Sequence, residues 1–281
     1  MITTTPTHGR RVKRDKLRIM RTAKIRVGTA GWSIPRASAR RFDSDGTHLQ
    51  RYSRRLCCAE INSSFHRPHA AHTYAKWRDS TPAGFLFSVK MCRTITHELK
   101  LRDAREPLVA FLRQTDGLAQ KRGPILVQLP PSLLFDANLV TSFLDLVRMM
   151  YDGPVVCEPR HPTWFTVAAT SLLDRYRISR VAVDPPPVPT AMVPAGWPGI
   201  AYFRLHGSPR KYWSRYDANY IATLAETVRG FPTAEQVWCV FDNTASGAAL
   251  ENAWELRERV ESDGHDHKTA RPRRPGASRS K

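Results

Sequence analysis

Acidic side chains are scarce in this chain: 25 Asp and Glu stand against 44 Lys and Arg, a formal net charge of +19. A surplus of that size favours association with anions and says nothing of fold. Cysteine is sparse too, with Cys57, Cys58, Cys92, Cys157 and Cys239. None are spaced C-x-x-C, which leaves zinc-ribbon and thioredoxin-like readings without support. The adjacent Cys57 and Cys58 cannot form an ordinary long-range staple, so reduced and mostly buried thiols are expected. No run approaches the ~18 consecutive apolar residues of a membrane helix. The N-terminus has no apolar stretch of the secretory kind. The expectation is a soluble, cytoplasmic protein with no membrane partner. No G-x-G-x-x-G follows the first apolar run, and neither G-x-S-x-G nor H-E-x-x-H occurs. The dinucleotide fingerprint, the nucleophile elbow and the zincin helix are therefore excluded.

What is present is enough for a packed core, since hydrophobic residues make up 41% of the 281. The charge is concentrated at the ends. Residues 1–24 hold eight basic residues against Asp15 alone, and residues 262–281 hold six against two acids. Both ends are nearly free of apolar side chains, and Arg271-Pro272-Arg273-Arg274-Pro275-Gly276 cannot form a periodic element. They are expected to be disordered basic tails flanking one domain over 25–261. Such tails could hold phosphate backbone without sequence preference, or be solvated with no dedicated partner. Met20 directly precedes the first strand-like run and could itself be the start of the chain.

Eight short β-rich runs follow, at 25–31, 58–63, 85–90, 125–129, 155–158, 180–184, 201–206 and 237–242. Stretches with helical spacing lie between most of them, at 107–120, 139–150, 169–176, 220–228 and 248–260. Alternation of strand and helix implies parallel strands with crossovers. Eight repeats in this length predict a single-domain α/β fold, a (β/α)8 TIM-type barrel, with a doubly wound open sheet as the alternative that the missing G-x-G-x-x-G argues against. Side chains two apart share a face of a strand. Glu60 and Asn62, Ser88 and Lys90, Gln128, Glu158, Asp184, and Arg204 and His206 each fall opposite apolar neighbours. If the apolar face meets the helices, these polar residues point into the barrel. They crowd toward the C-terminal strand ends, where barrel enzymes carry their chemistry.

Two readings of that set compete. It could be a pocket whose acids and bases are tuned for proton transfer or anion binding. It could instead be a satisfied ion-pair layer closing the barrel top. In the first, Glu60 and Glu158 are the acid/base carboxylates, with Lys90, His206 and Asp184 beside them in the catalytic set. Asn62, His97, Gln128, Arg160, His161, Trp164, Arg204, Asp242 and Asn243 are the candidate substrate-binding residues. No cofactor is predicted. A divalent metal held by Glu60, Glu158, Asp184 and His206 is weakly signalled, because Arg204 and Lys90 compete on the same face. The segments 243–247 and 206–211 follow the last two strands and could hold a phosphate on backbone amides and two cations; an ordinary helix cap is the alternative. Trp32, Phe65, Trp164, Tyr212, Trp213 and Tyr216 could stack on sugars or bases.

The strand-end motifs also resemble a known family. They are Gly28-Thr29-Ala30-Gly31-Trp32, Glu60-Ile61-Asn62-Ser63-Ser64-Phe65, Phe87-Ser88-Val89-Lys90 with Ile95-Thr96-His97, and Gln128-Leu129-Pro130-Pro131-Ser132. Glu158-Pro159-Arg160-His161 with Trp164, Arg204-Leu205-His206-Gly207, and Phe241-Asp242-Asn243-Thr244 with Gly247-Ala248 and Asn252-Ala253 complete the series. In this order they are similar to the YecE-like family, domain of unknown function 72. The resemblance implies a TIM-type barrel and no particular activity. Two positions depart from it: Asp242 stands where the family usually has Asn, and His66 where it commonly has Tyr.

Two functions from different classes remain. One is an enzyme using general acid–base chemistry on a small, sugar-like or phosphorylated, anionic substrate. The other is a nucleic-acid-binding, nuclease-like protein that holds phosphates with the barrel rim and the basic tails.

Overall fold

The computed structural model describes residues 23–231 and 233–269. Of the two expected tails, 1–22 and 270–281 lie outside these residues. Lys24 opens the first strand, and the last helix continues to Thr269, past the expected domain end at 261.

The strands are β1 (Lys24–Ala30), β2 (Cys58–Ile61), β3 (Leu86–Lys90), β4 (Arg122–Gln128), β5 (Val155–Glu158), β6 (Ile178–Arg180), β7 (Ala182–Asp184), β8 (Ala195–Gly196), β9 (Ile200–Leu205) and β10 (Gln236–Phe241). They form one sheet in the order β7-β9-β10-β1-β2-β3-β4-β5-β6-β8. All pairings are parallel except β6 with β8. The sixth expected strand is split at Val181. Its first half pairs with β5 and its second with β9, so one chain path joins the two ends of the sheet and the barrel closes there. Gly28 lets β2 approach β1 closely, because a Cβ there would strike the Cys58 carbonyl.

Helices α1 (His48–Ser53), α2 (Ser63–His66), α3 (Ala71–Asp79), α4 (Arg105–Thr115), α5 (Ala137–Met150), α6 (Val167–Arg175), α7 (Ala218–Arg229) and α8 (Ala248–Thr269) fill the crossovers. In α5 the spacing of Val140, Phe143, Leu144 and Val147 makes one buried stripe, and Asp136 Oδ1 caps the Asn138 and Leu139 amides. The sixth crossover lacks its helix. Residues 185–198 contain six prolines, which cannot supply helical N–H donors, and form a 3-10 turn and β8 instead.

Two apolar cores result. The larger lies between sheet and helices. The smaller fills the lower barrel with Cys58, Leu126, Val156, Val181, Val183, Ile200, Trp238 and Val240. The inward face is thus apolar below and polar above. This corrects the expectation for Asp184: Val181 and Val183 point inward, and Asp184 faces outward toward α7.

Candidate active site at the barrel mouth

Alternate residues of the strands stack above the inner core. Going up β2, Cys58 gives way to Glu60; up β4, Leu126 to Gln128; up β5, Val156 to Glu158; up β9, Tyr202 to Arg204. The burial of Cys58, Leu126 and Val156 sets the register, and the register aims the polar side chains inward.

Arg204 is the hub, and it is fully buried. Its Nη2 donates to Glu60 Oε1 (2.6 Å) and Asp242 Oδ2 (3.0 Å), its Nη1 to Glu158 Oε2 (2.7 Å), and its Nε to Glu60 Oε2 (3.0 Å). The Tyr202 hydroxyl donates to Glu60 Oε2 at 2.9 Å. Ser88 Oγ lies 2.9 Å from that hydroxyl and donates to the Pro124 carbonyl. Burial opposes the charge of Arg204, but Glu60, Glu158 and Asp242 hold it well above the ordinary guanidinium value. Burial and Glu60 push Tyr202 well above an ordinary phenol. Glu60 therefore has its oxygens filled by a guanidinium and a phenol, with no exposure to solvent.

A second tier lies nearer solvent. His206 Nδ1 pairs with Asp242 Oδ2 (3.0 Å), and its Nε2 is 3.6 Å from Glu158 Oε1. Arg160 Nε donates to Glu158 Oε1 (3.1 Å), and its Nη2 to the Tyr212 hydroxyl (3.3 Å). Burial would raise the Glu158 carboxyl, but Arg204, His206 and Arg160 hold it well below the usual carboxylate range. Asp242 is likewise lowered by Arg204 and His206 against its burial. Both are permanent acceptors at neutral pH.

Lys90 differs from every other charge here. Its Nζ sits 4.1 Å over the Phe65 ring and makes no hydrogen bond or ion pair with a described residue. Burial and Arg204 lower it to about 8, against the pull of Glu60, Glu158 and Asp242. His97, in edge contact with Phe65 and 2.9 Å from Thr96 Oγ1, is lowered to about 4 by burial and by Lys90, Arg93 and Arg160. It is neutral at pH 7. Asn62 Oδ1 and Gln128 Oε1 are buried and accept no hydrogen bond among the described residues.

The structure therefore brings together Glu60, Lys90, Glu158, Arg160, Arg204, His206, Asp242 and His97, and places Gln128 and Asn62 beside them on the same strand ends. Asn62 follows β2 in a helical conformation, so strand parity does not govern it. Asp184 is outside the cluster and accepts from the Tyr216 hydroxyl at 2.8 Å. Trp164 is buried and donates from Nε1 to the Leu133 carbonyl. His161 caps the Thr163 amide, and Asn243 Nδ2 ties the Ser214 carbonyl to Asn252. These three hold loops. The expected phosphate loop is closed as well: the amides of Ala245, Gly247 and Ala249 donate to the carbonyls of Tyr212, Thr244 and Asn243, and that of Ala248 to Ser246 Oγ. Gly207 lets this junction form at φ +89°, where a Cβ would meet the Ser214 carbonyl at 2.6 Å.

The four residues expected to converge on a divalent cation do not, since Asp184 faces away and the oxygens of Glu60 are taken. Among the described residues no group of three His, Cys, Asp or Glu could hold a metal ion. No described helix is long and apolar enough to cross a membrane. Sequence reading missed Tyr202, although it lies two residues before Arg204 and so on the same face. It also missed Tyr212 as the partner of Arg160.

The model of a protein family of unknown function, DUF72, matches residues 26–276. No curated protein matches. A DUF72 family protein from Enterococcus faecalis V583 is similar in fold, with a TM-score of 0.73, 22% identity, and coverage of 84% of this chain and 95% of that one. Another, from Thermotoga maritima MSB8, has a TM-score of 0.71 and 25% identity over 85% of this chain and 99% of that one. With nearly the whole barrel matched, the chain belongs to the DUF72 family.

Proposed function

We propose that the barrel mouth binds a small, anionic, sugar-like or phosphorylated substrate and performs general acid–base chemistry on it. The carrying observation is Lys90, an inward-facing amine at the end of β3 with no polar partner among the described residues. Its value of about 8 suits a group that both gives and takes a proton near neutral pH. Arg160 supplies a second, half-buried cation for the anionic group. Asn62 Oδ1 and Gln128 Oε1 offer unfilled acceptors to substrate hydroxyls. His206, between Asp242 and Glu158, is oriented to move a proton at the opposite side. Arg204 and Glu60 position these groups, and Glu158 and Asp242 act as fixed anions rather than acids.

Thermal-shift titration with sugar phosphates and inorganic phosphate tests this reading. A ligand that binds the folded state raises Tm. The expected shift is lost in Arg160→Ala and Lys90→Ala. No shift with any phosphorylated ligand contradicts it.

A second reading rests on a separate observation. Tyr212 and Trp213 are 41% and 47% exposed on the loop after β9, and Arg210 stacks on Trp213 at 4.6 Å. Exposed aromatics beside Arg210 and Lys211 suit stacked bases and a phosphate backbone. Oligonucleotide affinity that falls steeply with salt and is lost in Trp213→Ala would favour this reading.

A further inference from the structure

We propose that Lys90 forms a covalent imine with the carbonyl carbon of an anionic aldehyde or ketone held in the barrel mouth. The inference rests on the anionic-substrate reading above and adds the reacting group and the reaction class.

A lysine that only balances charge is drawn onto a carboxylate. Three carboxylates surround Lys90 electrostatically, yet each is bonded elsewhere: Glu60 and Glu158 to Arg204, and Asp242 to Arg204 and His206. Nζ is left over the Phe65 ring with no hydrogen bond or ion pair to any described residue. The side chain is half-buried, so part of it is open to solvent. With a value of about 8, a useful share of the amine is free at neutral pH, as an unperturbed lysine is not.

The chemistry balances without any other reagent. The Nζ lone pair adds to the carbonyl carbon, and the oxygen gains a proton to give a carbinolamine. That oxygen takes a second proton and leaves as water, so amine, carbonyl and one proton become iminium and water. The iminium carries the same positive charge as the ammonium it replaces. Glu60, Glu158 and Asp242 therefore face an unchanged charge, and the Phe65 ring remains beneath a cation. Arg160 is placed to hold the anionic end of the substrate. An iminium withdraws electrons from the adjacent carbon, which opens proton abstraction or carbon–carbon cleavage at that carbon. Water addition releases the product and returns the amine.

The test traps the imine in the full-length protein with sodium cyanoborohydride at pH 8. The probes are glyceraldehyde 3-phosphate and uncharged glyceraldehyde, and labelled lysines are located by peptide mass mapping. Lys90 is expected to be labelled by the phosphorylated aldehyde at least ~10-fold faster than exposed Lys211, since the site holds both amine and anion. Arg160→Gln should slow labelling by the phosphorylated probe several-fold more than labelling by the uncharged probe. Labelling of Lys90 no faster than Lys211 with either probe overturns the proposal. If that failure accompanies an Arg160-dependent shift of Tm by phosphate, the imine falls and the anionic-substrate reading stands. Fast labelling of Lys90 by both aldehydes alike supports the imine and removes the anionic-substrate reading instead.

Discussion

The polar cluster has two tiers with opposite characters. In the lower one, Arg204, Glu60, Tyr202 and Ser88 are fully hydrogen-bonded, to one another and to Glu158, Asp242 and the Pro124 carbonyl, and exclude solvent. In the upper one, Lys90 has no polar partner among the described residues, and Asn62 and Gln128 have acceptors that none of those residues fills. Both tiers carry buried charge at the C-terminal ends of the barrel strands. Charge at a barrel mouth therefore does not by itself mark chemistry. What sets the upper tier apart is three groups within it, Lys90, Asn62 and Gln128, that keep unfilled capacity among the described residues, and a fold that leaves a half-buried amine unpaired accepts a cost that packing alone would remove.

The most severe way to break the comparison is Arg204→Met. Three buried carboxylates would lose their common partner, at a cost of about 3–5 kcal/mol or more. Urea unfolding should show the midpoint fall or the fold fail. A change below about 1 kcal/mol would mean that the lower tier is not structural.

Lys90→Met should act in the opposite direction. Burial disfavours this cation in the folded state, so its removal is expected to raise Tm by about 2–6 °C while abolishing phosphate-dependent shifts. Calorimetry of the two variants side by side would read the contrast directly.

Acid sharpens it further. Glu158 and Asp242 have folded values below their unfolded ones, so their contribution is complete above about pH 5 and is lost as pH falls through the unfolded and then the folded values. His97 is neutral in the fold down to about 4, whereas the unfolded chain takes up that proton near pH 6.5. It therefore removes stability as pH drops from 6.5 toward 4. His97→Gln should flatten the stability profile in that window and leave the steeper loss below pH 4. A profile unchanged between pH 6.5 and 4 would argue against the neutral imidazole.

The smallest effect lies at the other end of the barrel. Cys57 is exposed, and a hydrogen bond from Cys58 is the main cause that lowers it to about 6. Iodoacetamide at pH 7 should alkylate Cys57 well before the buried Cys58, Cys157 and Cys239, with little change in Tm. Equal rates would contradict that assignment.

Much of this was legible in the residues. Alternation of strand and helix predicts the barrel, and period-two parity places Glu60, Glu158 and Arg204 inward. The rule failed at Asp184 because it assumed one polar inward face. The barrel's lower interior is apolar, so Val181 and Val183 claim the inward side and Asp184 is turned out. Helices α1 to α3 left weak signals: in α3 Tyr74 is the one buried residue, so no apolar stripe marks the helix in the sequence. The missing sixth helix was readable from six prolines between 185 and 198. Pairing was not readable at all. Which carboxylate takes Arg204, and which amine is left without a partner, depends on angstrom-scale distances between strands far apart in the chain.

The most direct measurement is the titration of Lys90 itself, followed through lysine 13Cε shifts by NMR and assigned by the signal lost in Lys90→Arg. The account predicts a midpoint near 8, set apart from the other lysines. A midpoint among the ordinary lysines near ~10.4 would show a solvated or well-paired ammonium and would contradict the distinction between the tiers.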